Sequence, residues 1–161
     1  MAFRSKVLAV ASCLFFAIVV SGCGGSQQDT TALVQQRYET YWTVLQQVRA
    51  DFNVPATDLE KVAAGTLLRS LTSETQQLRT IGDVYVGAPR RAVQSVEIDG
   101  DRSYILDCID ISKWLLAPEA TKIAIPDQQV QAQPGLYEFT LAQKDGSWYV
   151  TVSQQVDSCT L

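Results

Sequence analysis

Apolar and polar residues are arranged in three different ways along this chain, and each arrangement predicts a different kind of structure. From Val7 to Val20 the run is nearly all apolar, preceded by Arg4 and Lys6 and followed by Ser21-Gly22-Cys23. A cationic start, a short apolar run and small residues at its end predict a secretory leader outside the fold. The run is too short and too near the terminus for a membrane span. From Thr30 to Phe52 the apolar residues Leu33, Val34, Tyr38, Tyr41, Trp42, Leu45, Val48 and Phe52 recur at helical spacing, with Gln and charges between them. Pro55 ends that helix. Thr57-Asp58-Leu59-Glu60 has the form of a capping box and predicts a short helix to about Ala64. Leu67, Leu68, Leu71, Thr75, Leu78 and Ile81 form one stripe of a third helix, Thr66 to Ile81, ended by Gly82.

From Asp83 onward the period falls from about 3.6 residues to about 2. Short strands are expected at Val84–Val86 and at Ala92–Ile98, with Val96 and Ile98 sharing a face. Asp99-Gly100 reads as the central pair of a hairpin turn needing positive φ at both positions, and Arg102–Ile111 as the return strand. Pro118 to Pro134 reads as a polar loop, with a short strand around Ile123–Ile125. Leu136–Gln143, the Lys144-Asp145-Gly146 turn and Trp148–Gln155 make a second hairpin, with Trp148 and Tyr149 on opposite faces. Helices first and a meander afterwards predict an α+β domain. Its N-terminal helices pack on a curved antiparallel sheet of four to five strands over 83–157.

Composition sharpens this picture once the leader is set aside. The leader holds two of the thirteen cations and no acid, so residues 23–161 carry eleven Lys and Arg against seventeen Asp and Glu, a formal charge of −6. Nucleic acid is thereby disfavoured, because phosphates demand clustered cations. Electrostatic adhesion to anionic lipid is disfavoured for the same reason.

Val20-Ser21-Gly22-Cys23 resembles the lipobox of bacterial lipoproteins: an aliphatic residue, two small ones, then Cys. That resemblance implies a leader at 1–22 that is cut before Cys23, and lipid on the Cys23 thiol. A flexible tether follows over 23–29, then the domain at 30–161. It also implies attachment to the extracytoplasmic face of the cell membrane by acyl chains, since stable anchoring takes about two lipid signals. With Cys13 in the leader and Cys23 lipidated, Cys108 and Cys159 remain, and an oxidising exterior predicts a disulfide between them. It closes a loop of about 50 residues and stabilises by roughly 4 kcal/mol on a chain-entropy argument. The chain has no His. Cys–His dyads, His-containing metal sites and Ser–His–Asp triads are therefore excluded, and no metal or cofactor is expected.

Five pieces in this order carry a second resemblance: Tyr38-Glu39-Thr40-Tyr41-Trp42, the Val96–Asp101 hairpin, Asp107-Cys108-Ile109-Asp110 with Trp114 beyond, Asp145-Gly146-Ser147-Trp148-Tyr149-Val150, and Cys159. The chain resembles small lipoproteins of high-GC Gram-positive bacteria carrying a nuclear-transport-factor-like (SnoaL-like, cystatin-like) cone domain. The resemblance implies fold and address more than activity. Enzymes of that superfamily, such as ketosteroid isomerases and polyketide cyclases, use an Asp base with Tyr or Asp donors. Asp107 or Asp110 with Tyr104, Tyr38 or Tyr41 is the matching set here, and the structural alternative is a carboxylate accepting backbone bonds at a strand end or pairing with Arg102 or Lys113. A buried Asp with a strongly raised pKa beside a Tyr hydroxyl would favour catalysis, and an exposed or Arg-paired Asp would favour binding. Arg90-Arg91, beside Pro89, reads as a solvated loop.

The sequence therefore points to a non-enzymatic envelope domain that binds a small apolar ligand or an envelope protein. The alternative is an Asp-dependent isomerase, cyclase or dehydratase. Tyr38, Tyr41, Trp42, Tyr104 and Asp107 are the residues expected nearest a cavity.

Overall fold

The computed structural model describes residues 27–128 and 133–161. The leader, Cys23 and the first tether residues lie outside the described residues. Helix α1, Gln27–Ala50, begins three residues before Thr30 and takes up the Gln27-Gln28 pair assigned to the tether. It buries Val34, Tyr38, Tyr41, Trp42, Leu45 and Val48, whereas Leu33 at the edge of the stripe is exposed. The segment after Pro55 is a three-ten helix, Ala56–Lys61, not an α-helix reaching Ala64. Pro55 occupies the cap position and no side chain caps this turn, so Thr57 sits inside it and its capping box does not form. Helix α2, Gly65–Ile81, ends on Gly82 at φ +83, the left-handed conformation that glycine adopts without penalty.

Strand β1 is Asp83–Gly87, β2 Arg90–Asp99 and β3 Arg102–Asp110. Strand β4 is Trp114–Pro118, β5 Gly135–Lys144 and β6 Ser147–Ser158. All pairings between these strands are antiparallel. They form a four-stranded sheet in the order β2-β3-β5-β6 and a separate ribbon of β1 with β4. The expected strand near Ile123–Ile125 is absent, and β4, in a stretch where the sequence predicts no element, pairs with β1. In the first hairpin Asp99 pairs with Arg102, so the central residues are Gly100 and Asp101, and of these only Gly100 has positive φ. The second hairpin keeps the expected Asp145-Gly146 pair, with both φ values positive. Register shifts in β2 between Val93 and Ser95, and two more between β5 and β6, bend the sheet around the helices.

Alternation along β3 directs Ser103, Ile105, Asp107 and Ile109 toward the helices and Tyr104, Leu106 and Cys108 to the other face. Cys108 bonds to Cys159 with Cα atoms 5.9 Å apart. The bridge ties the end of the chain to β3 across β5, whose Leu136 lies opposite Cys108. The Cys159 amide also donates to the Pro134 carbonyl at 3.1 Å. Arg37 fastens α1 to both neighbours: its Nε donates to the Trp148 carbonyl at 2.8 Å and its Nη2 to the Lys61 carbonyl. Among the described residues no helix is long and apolar enough to cross a membrane.

Candidate functional site

Between α1 and β3 lies a buried polar network. Asp107 is wholly buried, and its Oδ2 accepts from the Tyr38 hydroxyl at 2.8 Å and from Arg91 Nη1 at 3.2 Å. Its Oδ1 has no hydrogen-bond partner among the described residues. Arg91 pairs through Nη2 with Glu39 of α1, and its guanidinium stacks 5.4 Å from the Tyr38 ring centre and 4.9 Å from that of Trp42. Burial raises the Asp107 pKa, opposed by the Tyr38 hydrogen bond and the Arg91 charge. Burial also holds the Tyr38 hydroxyl well above its ordinary pKa, and the Asp107 charge adds to that. For Arg91 burial works against the charge, but the hydrogen bond and charge of Glu39, with Asp107, raise its pKa overall. Asp110, on the same strand, accepts from Arg90 and from the Ser112 amide, and these partners hold its pKa down to about 2.

A cleft of about 300 Å³ opens beside this network, between the two helices and the sheet. Tyr41, Trp42 and Leu45 of α1 form one wall, Leu67 and Leu71 of α2 a second, and Ile109, Tyr137 and Phe139 of the sheet the floor. Trp114 closes one end. The rings interlock edge to face: Trp42 meets Phe139 at 6.0 Å and Trp114 at 6.2 Å between centroids. Such geometry fixes the walls beyond the effect of area alone. The charged residues on the wall are Arg49 and Glu74, joined by an ion pair at 2.5 Å. No group of residues that could hold a metal ion occurs among the described residues.

Of the residues expected nearest a cavity, Tyr41 and Trp42 line the cleft. Tyr38 and Asp107 are brought together behind it, in the network, and are not on its wall. Tyr104 lies on the opposite face of β3, because an odd separation from Asp107 reverses the side of the strand. Asp107 meets both expectations at once, being buried with a Tyr hydroxyl in reach and also paired to an arginine. Its partners decide between them: Oδ2 is already engaged by Tyr38 and Arg91, and it does not face the cleft.

Arg91 was read from sequence as solvated; it is instead a strand residue inside the network. The hairpin carried part of the signal. Pairing counted back from Asp99↔Arg102, with the one-residue register shift between Val93 and Ser95, brings Arg90 and Arg91 alongside Asp110 and Ile109, so the acids' partners come from β2 and not from Arg102 or Lys113. Arg49, Leu67 and Leu71 gave no separate signal, since Leu67 and Leu71 read only as core stripe and Arg49 as one of the charges between apolar positions.

No family model and no curated protein matches the sequence. Solved structures do match. The intermembrane space region of the chloroplast protein ARC6 superposes with a TM-score of 0.61 at 12% identity, over 80% of this chain and 97% of that one. An NTF-2-like protein of unknown function from Silicibacter pomeroyi DSS-3 superposes with a TM-score of 0.50 at 14% identity, over 81% of this chain and 99% of that one. At such identities the likeness is one of architecture. The chain has the NTF-2-like fold, helices packed on antiparallel sheets.

Proposed function

We propose that this chain is a lipid-anchored, extracytoplasmic binding domain of a bacterial cell envelope, and that its cleft takes a small apolar ligand without chemical conversion. The aromatic-walled cleft carries the proposal. Its volume is at the lower end of the range of small-molecule sites, and its aromatic and aliphatic walls carry the polar groups of Arg49, Ser70, Glu74 and Ser153. The carboxylate best suited to act as a base, Asp107, is neutralised behind the wall by Arg91 and Tyr38. The anchor rests on Val20-Ser21-Gly22-Cys23 and on the −6 charge of residues 23–161, which leaves acyl chains as the means of attachment.

Native mass spectrometry of the protein purified from its own membrane tests both parts. The expected spectrum shows a species beginning at Cys23 with diacylglyceryl mass added, together with a bound small molecule. Cys23→Ser should release the protein or leave it as uncut precursor. Retention of the Cys23→Ser protein in the membrane at the processed mass would refute the anchor.

The Asp107–Tyr38 pair favours a second reading, an isomerase- or dehydratase-like enzyme with Asp107 as base. Turnover of a cleft ligand that Asp107→Asn abolishes, with ligand binding intact, would replace the first reading with this one. A third reading, docking of an envelope protein, draws on the exposed Val152 and Val156 of edge strand β6. It predicts a partner captured by crosslinking from β6 and an unoccupied cleft.

A further inference from the structure

Resting on the reading of the cleft as a ligand site, the geometry points to a ligand class: a compact amphiphile with an apolar body and one carboxylate, its head held by Arg49 in place of Glu74. Three observations lead there. The Arg49 side chain lines the cleft and is nine-tenths buried, and its Nε, covered from solvent, has no hydrogen-bond partner among the described residues. Its guanidinium lies over two rings that touch each other, 5.4 Å from the Trp114 centroid and 5.5 Å from that of Tyr85, which favours one placement of the fork before any ligand arrives. The fork's occupant is Glu74, whose side chain is about half exposed at 53% and reaches in from the surface of α2. Glu74 thus stands where a ligand carboxylate would stand, held by Arg49 and by the Ser70 hydroxyl at 3.2 Å, and a ligand carboxylate that displaces it into water keeps the buried Arg49 charge paired. A ligand carboxylate that takes the place of Glu74 at Nη2 has the unpartnered Nε beside it, the two-pronged contact that planar guanidinium favours.

Size follows from volume. A dry cavity of about 150 Å³ accommodates benzene, so a cleft of about 300 Å³ suits a two-ring or equivalent body. The Arg49–Glu74 pair also lines a smaller depression, with Leu78, Ile81 and Tyr85. Withdrawal of Glu74 would give a longer ligand a continuous path past Arg49.

Isothermal titration of the full chain in lipid nanodiscs, with empty nanodiscs as the blank, tests this using 2-naphthoate and its neutral counterpart 2-naphthylmethanol at pH 7. The expected result is saturable binding of both, with 2-naphthoate at least tenfold tighter. Glu74→Gln should tighten 2-naphthoate severalfold and leave the alcohol unchanged, and Arg49→Met should abolish the preference. Equal affinity of the two probes to the unmodified chain overturns the carboxylate inference while leaving the apolar cleft standing. Binding of neither overturns both. The comparison of probes on the unmodified chain needs no variant to fold.

Discussion

Asp107 shows how a single residue can be costly to bury and still be retained. Removing a carboxylate from water carries a penalty of several kcal/mol, offset here by the Tyr38 hydroxyl and the Arg91 guanidinium on one oxygen. Deleting one member leaves the others stranded. Asp107→Ala is expected to destabilise by about 3 kcal/mol in urea unfolding, because Arg91 keeps a buried charge that Glu39 alone then balances. Tyr38→Phe is expected to lose about 1 kcal/mol by the same measurement. Neither should weaken binding of an apolar probe in the cleft if the network is structural. Asp110 behaves oppositely, being held ionised by Arg90 and Ser112 with a folded pKa of about 2 against an unfolded value of about 3.9. A depressed acid pKa stabilises the fold above the unfolded value and loses that contribution as pH falls. Denaturation midpoints should therefore drop between about pH 4 and about pH 2, and Asp110→Asn should flatten that decline. An unchanged slope in the variant would remove Asp110 from the account.

The β1–β4 ribbon is the element that most depends on one backbone position. Gly87, at φ +77, ends β1 where a Cβ would stand 2.0 Å from the Lys113 carbonyl oxygen. Gly87→Ala is expected to destabilise by about 2 kcal/mol or more, since both the left-handed φ and the contact oppose it. Hydrogen exchange should then rise along β1 and β4 ahead of the main sheet. The long helices and both hairpins were legible in the sequence, because extended periodicity and Asp-Gly pairs are local signals. The ribbon was not. Trp114-Leu115-Leu116-Ala117-Pro118 is too short to show a period, and its partner is distant in sequence. The three-ten turn was misjudged because Thr57 and Glu60 have capping-box spacing, whereas Pro55 already occupies the cap. The first turn slipped by one residue, since only the pairing of Asp99 with Arg102 reveals which two residues form the loop. For the site, the aromatic stripe of α1 was legible as core. The Arg49–Glu74 pair joins α1 to α2 and required tertiary structure to be seen.

At the scale of the whole molecule, two helices lie across a bent sheet, and their aromatic residues only partly fill the space between them. A buried network behind α1 holds that helix to β2 and β3, while the disulfide secures the far end of the sheet. Rigidity on both sides leaves the aromatic walls fixed around the cleft, the arrangement a preformed apolar site requires. A lipid on Cys23 would then keep this site beside the membrane, where apolar ligands concentrate. Methyl NMR of the full chain in nanodiscs, titrated with 2-naphthylmethanol, tests the cleft most directly. The account predicts saturable shifts of the Leu45, Leu67, Leu71, Ile109 and Ile111 methyls, with Leu59 and Val62 of the core unmoved. Absence of saturable shifts, or shifts centred on another face, would contradict it.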